Sequence, residues 1–219
     1  MKAFLIRILR LLFGTFLFAL GIILTIKADI GYAPWEVFHV GLALTMRISL
    51  GVASIIAGVV IVAFVSVCGE KIGIGTLTSM VVTGIFIDLI DKLDIIPMAE
   101  SLIPGIAMLI SGMLVISVGT FFYINSAFGV GPRDNLMVVL NRKTKLPVGV
   151  CRSFVELAVT LTGWFLGGKV GIGTVISVIG MGVCIQIVFA IFRFKAAEIE
   201  HESLKQTFEF LANISTLKQ

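Results

Sequence analysis

Apolar residues fall in long uninterrupted runs along this chain, not in the alternation of a strand or the stripe of a surface helix. Six runs carry few charges: 11–26, 50–68, 74–87, 102–124, 148–166 and 172–192. A helix that crosses a bilayer needs about 20 such residues. The pattern predicts an all-α polytopic membrane protein. Two shorter segments lie between the runs. Pro34 opens 34–46, which carries Glu36 and His39, and Pro132 opens 132–141, too short to span. Proline in the first turn and an acid two residues later both suit a helix N-terminus. Both segments are predicted as short or re-entrant helices, which lipid tolerates only where they are buried in protein or line a cavity.

The pattern repeats at an offset of 98. Gly31-Tyr-Ala-Pro34-Trp-Glu36 falls on Gly129-Val-Gly-Pro132-Arg-Asp134, and K-x-G-x-G-T at 71–76 falls on the same residues at 169–174. Gly14, Gly21, Gly51 and Gly84 fall on Gly112, Gly119, Gly149 and Gly182. Chance matches of leucine or isoleucine would not align these words in one register. The chain therefore divides into a first transmembrane repeat (1–99), a second (100–195) and a tail (196–219) that reads as a cytoplasmic amphipathic helix. Each repeat has three spans plus one short helix, so the two would be inverted in topology. Four spans per repeat would fit the charges equally; the shortness of 132–141 favours three. Interrupted helices in inverted repeats are a recurrent transporter plan, with the site near the midplane.

Composition agrees with lipid as the solvent. The chain is 58% hydrophobic and 14% charged, with a mean hydropathy of +1.11. With the N-terminus inside, Arg7, Arg10, Lys71, Arg133, Arg142 and Lys143 gather on one side, as the positive-inside rule asks of the cytoplasm. That places both termini in the cytoplasm. The first run is too long for a signal peptide and reads as a retained helix. A net charge of +4 suits cytoplasmic loops better than nucleic acid. The expected partners are the bilayer and a small molecule or ion, and self-association is compatible with the pattern. Cys68, Cys151 and Cys184 show no pairing or metal spacing and read as packing residues. His39 and His201 have no metal-site spacing, and no hydrolase or redox motif appears. The chain is expected to need no cofactor and not to be an enzyme.

The K-x-G-x-G-T words resemble a phosphate loop only at first sight. A P-loop places Lys after the last glycine, whereas here Lys71 and Lys169 precede the glycines. Both words read as turns between helices, with Thr76 and Thr174 expected to cap the following helix.

Intramembrane charge selects the candidate site. Glu156 sits mid-run with Arg152 one turn earlier, on the same helical face. The pair reads either as a substrate or proton site or as a structural lock between helices. Glu36 and Asp134 match in register and read either as site acids or as helix-terminus charges. Arg133 and Asn135 flank Asp134. Asp88 and Gln186 are matched positions of a second rank, with Gln186 expected to face protein. Trp35 and Trp164 read as interface anchors.

Taken together, G-Y-A-P-W-E-V-F-H at 31–39, G-V-G-P-R-D-N-L-M at 129–137, Arg152 with Glu156, and G-W-F-L-G-G-K-V-G-I-G-T at 163–174 resemble the YczE/YyaS/YitT family of bacterial integral membrane proteins. The resemblance spans about residues 10–192 and is nearest the YczE-like branch. Ala33 and Glu36 depart from the family's more frequent Gly and Asp. The resemblance implies a bacterial plasma-membrane location and no settled activity. The expected function is a small secondary transporter or permease, with a non-transporting membrane scaffold as the alternative.

Overall fold

The computed structural model describes residues 2–70, 72–129, 131–195 and 199. Among them the chain forms eight helices and no strand: α1 (Lys2–Lys27), α2 (Pro34–Met46), α3 (Leu50–Val67), α4 (Ile74–Leu93), α5 (Leu102–Ile124), α6 (Pro132–Thr144), α7 (Val148–Phe165) and α8 (Ile172–Ile191). The expected tail helix lies, apart from Ile199, outside the described residues. Six helices are long and apolar enough to cross a membrane: α1, α3, α4, α5, α7 and α8. The protein is an all-helical membrane protein.

Three helices overrun the apolar runs. No Gly or Pro interrupts 2–10, so α1 includes Arg7 and Arg10. Helix α4 continues through the polar Asp88 and Asp91 until Asp94 turns left-handed. Helix α6 reaches Thr144 before Lys145 does the same. Helices α2 and α6 have 13 residues each, about 20 Å at 1.5 Å per residue, well short of a 30 Å hydrocarbon core. Each starts on proline and ends on a left-handed residue, Arg47 or Lys145.

The central pair, α1 and α5, runs antiparallel. A Cβ at Gly14 would lie 2.8 Å from the Gly119 carbonyl, and one at Gly21 would lie 2.7 Å from that of Gly112. Bare backbone at these points lets the helices approach closely. Helix α4 flanks α1, α8 flanks α5, α2 packs on α7, and α3 meets α6.

The K-x-G-x-G-T turns are clasps. Gly173 N–H donates to the Ile30 carbonyl (2.8 Å), and Gly75 N–H donates to that of Phe128 (2.9 Å). Each clasp thus joins a turn of one half of the chain to the loop before the short helix of the other. The loops bend at Gly31 (φ 110°) and Gly129 (φ 134°), a left-handed region where a side chain is strained. Thr76 and Thr174 are not the N-caps that the sequence predicts. Gly73 and Gly171 take that place; at Gly171 a Cβ would lie 2.6 Å from the Ile30 carbonyl, so the close approach of the loop leaves no room for a side chain. Thr174 lies a turn inward and its Oγ1 accepts from Gly171 N–H (3.1 Å).

Polar groups gather at the two ends of the bundle. Lys27–Asp94 (2.7 Å) and Lys169–Asp29 (2.6 Å) tie one end. At the other, Arg142 pairs with Glu70 (2.7 Å) and Arg7 Nε donates to the Ser126 carbonyl (2.8 Å).

Candidate functional site

The broken helices meet at an internal cavity of about 200 Å³, and all eight helices contribute to its wall. It is lined by matched positions: Phe18 with Ile116, Pro34 with Pro132, Trp35 with Arg133, Glu36 with Asp134, Gly58 with Glu156, and Ser79 with Ser177. Proline and the neighbouring glycines end the backbone of α2 and α6 inside the bundle. That aims the first-turn side chains at the cavity.

The charges form two ion pairs and one remainder. Arg133 Nη1 lies 3.6 Å from Glu36 Oε1, and the Glu36 side chain is 4% exposed. The same guanidinium lies over the Trp35 ring, 4.7 Å from its centroid, a cation–π geometry. Its Nη2 lies 3.5 Å from His39 Nδ1. Arginine can only donate, so this contact requires an Nδ1 that accepts and a proton on Nε2. Arg152 Nε donates to Glu156 Oε1 (2.7 Å), with Arg152 42% exposed and Glu156 11% exposed. Asp134 faces the open part of the cavity. It lies in the field of Arg152 and Arg133 but makes no hydrogen bond or ion pair among the described residues.

Five of the eight sequence candidates converge here: Glu36, Arg133, Asp134, Arg152 and Glu156. Three do not. Asn135 is buried in α6 away from the cavity, because the next residue along a helix points about 100° away. Asp88 closes the α3–α4 seam instead, accepting from Ser49 Oγ (2.6 Å) and Gly51 N–H (2.7 Å). Gln186, expected to face protein, is exposed, since α8 scarcely touches α7.

Trp35 is a cavity residue, 8% exposed, and not an interface anchor. Trp164 is exposed on α7. His39 and Tyr123 line the cavity without having been singled out. His39 could have been found one turn after Glu36 on the same face; for Tyr123 no signal exists in the sequence. No group of three His, Cys, Asp or Glu that could hold a metal occurs among the described residues.

Comparison with known proteins agrees with this architecture. Residues 5–190 match a family of unknown function, DUF6198. The chain is 33% identical over 175 residues to the uncharacterized membrane protein YczE of Bacillus subtilis (strain 168), covering 79% of this chain and 80% of that one. An uncharacterized protein of Haemophilus influenzae is 31% identical over 176 residues, 80% of each chain. The uncharacterized protein YyaS of Bacillus subtilis is 26% identical over 179 residues, 80% of this chain and 88% of that one. No solved structure matches. With its six apolar spans and its two broken helices, the chain belongs to the DUF6198 family of unknown function, among the YczE-like membrane proteins.

Proposed function

We propose that the protein is a small secondary transporter of the bacterial plasma membrane, built from two inverted repeats, with its solute site in the central cavity. One observation carries the reading: a cavity that holds charged side chains between apolar walls, lined in part by residue pairs 98 positions apart and contributed by every helix. Antiparallel packing of α1 on α5 supports the inversion, because these are the first helices of the two repeats. A solid scaffold would have no use for a cavity holding charged side chains, which are costly at membrane depth. The cluster of Arg7, Arg10 and Arg142 at one end supports a cytoplasmic assignment for that end and for both termini.

Alternating access follows from an asymmetry between the halves. At Gly51 and Gly84, α3 and α4 touch backbone to backbone. Their matched positions, Gly149 on α7 and Gly182 on α8, would meet nothing within 4 Å even with an added Cβ. The α3–α4 seam is thus closed at the Asp88–Asp94 end and the α7–α8 seam parted at the Arg142 end, which we read as an inward-facing state in this orientation. Exchange of the two seams would present the cavity to the other side. On this reading the chain is not an enzyme: His39 is engaged with Arg133 and Trp35 and abuts no nucleophile.

The test is flux. Purified protein in liposomes is screened with small organic ions and neutral metabolites. Flux of an identified solute is expected to fall at least tenfold in Glu36→Gln and Glu156→Gln. Flux unchanged in both variants would contradict the site.

A further inference from the structure

We propose that the cavity selects a small organic cation, whose ammonium or guanidinium head sits against Asp134 and Tyr123 beside Gly131. The inference rests on the transporter reading for its location, and adds the class of solute.

Charge balance is the first argument. The cavity holds three carboxylates and two guanidiniums. Arg133 is committed to Glu36 and Arg152 to Glu156. The Arg133–His39 contact leaves His39 as an uncharged acceptor. Asp134 is the carboxylate with no cation of its own, and it faces open space.

Unpartnered hydroxyls are the second. Tyr123 is 6% exposed and its Oη has no hydrogen-bond partner among the described residues, and Ser177, 1% exposed, is in the same condition at Oγ. Both line the cavity. A buried polar group without a partner costs free energy, and a ligand that donates hydrogen bonds removes that cost.

Shape is the third. A Cβ at Gly131 would lie 2.9 Å from Tyr123 Oη and 3.4 Å from Asp134 Oδ2. A side chain there would crowd Tyr123 Oη, so glycine lets the Tyr123 and Asp134 oxygens stand close together at the cavity wall. The matched position in the first repeat, Ala33, carries the methyl. The backbone at Gly131 (φ −61°) is one that any residue adopts, so glycine is needed there for space and not for conformation.

The walls favour an organic body over a bare metal ion. Phe18, Ile22, Ile116 and Met181 contribute apolar surface, and no metal-binding triad is present among the described residues. A volume of about 200 Å³ suits a small organic molecule.

The test is calorimetric titration of the full chain in detergent micelles. The cationic probes are propylammonium and methylguanidinium. The controls are propanol, urea, propionate and potassium chloride. Saturable binding is expected for the two cations alone, with affinity at least tenfold weaker in Asp134→Asn and in Gly131→Ala, and unfolding temperatures close to wild type. Should Asp134→Asn fail to fold, Gly131→Ala decides, since its backbone is unstrained. Absence of cation binding, cation binding undiminished in the variants, or propionate binding in its place overturns the assignment. Liposome flux separates this from the wider reading. Cation binding through Asp134 without flux of any solute refutes transport and leaves the site standing. Flux of an anion without cation binding refutes the site alone.

Discussion

Two seams at matched positions, with the same glycines, behave differently. Between α3 and α4, Gly51 and Gly84 are buried against each other, and Asp88 ties the start of α3 through Ser49 and Gly51. Between α7 and α8, Gly149 and Gly182 stand apart and Gln186 is exposed. A second difference runs the opposite way. Helices α2 and α7 meet through Gly41 and Gly163, whereas α6 and α3 are held off by the buried Val139 and Val65 at the same positions. Helix α7 therefore packs on α2 and stands apart from α8. Glycine at an open position costs helix stability, about 1 kcal/mol relative to alanine. Its presence at 149 and 182 makes sense if those positions close in another conformation.

Substitutions can break this comparison. The largest effect is expected at the sealed side of the cavity. Arg133→Met leaves Glu36 charged and buried and should destabilise by about 3–5 kcal/mol. Arg152→Met, whose partner Glu156 borders the open side, should cost clearly less. Equal losses in thermal unfolding would remove the distinction. Next come the seams. Overpacking makes Gly51→Ala and Gly84→Ala cost about 1–3 kcal/mol, while Gly149→Ala and Gly182→Ala should be neutral or stabilising by up to about 1 kcal/mol. Opposite signs sharpen the account, and matching signs contradict it. Asp88→Ala removes two charge-assisted bonds, about 1.5–3 kcal/mol together in a partly exposed setting, whereas Gln186→Ala should leave stability unchanged and slow flux.

The smallest effect concerns the exposed pair at the closed end. Lys27 holds the Asp94 carboxyl below its ordinary value of 3.8. The folded state is thereby favoured while the carboxylate is ionised. That contribution is present above about pH 3.8 and disappears as pH falls through the lower folded value. Asp94→Asn should flatten the pH dependence of unfolding in that acid range, and an unchanged slope would show that the pair does not persist in solution.

Much of this was legible from the chain. Apolar runs located all six spanning helices, and the prolines located α2 and α6. The 98-residue offset also led to Glu36, Arg133 and Asp134, whose matched positions meet at the cavity. What the offset does not contain is facing. Asp88 and Asn135 are as polar as the cavity residues but sit on other faces of their helices. Tyr123 becomes interesting only once α5 is laid beside Gly131. The open seam is not legible from its glycines, which both halves carry. The residues that differ, Asp88 against Gln186 and Gly41 with Gly163 against Val139 with Val65, show their effect only once the helices are placed.

The central claim, exchange of the two seams, is open to a distance measurement. Spin labels at Arg47 and Leu93 report the α3–α4 end, and labels at Lys145 and Ile191, 98 positions on, report the α7–α8 end. All four residues are exposed at helix ends. In lipid nanodiscs, double electron–electron resonance should show a short first distance with a long second one. A further population should show the reverse, and its share should change on addition of propylammonium. Single, ligand-independent distances at both ends, or two distances that change in the same direction, would contradict alternating access.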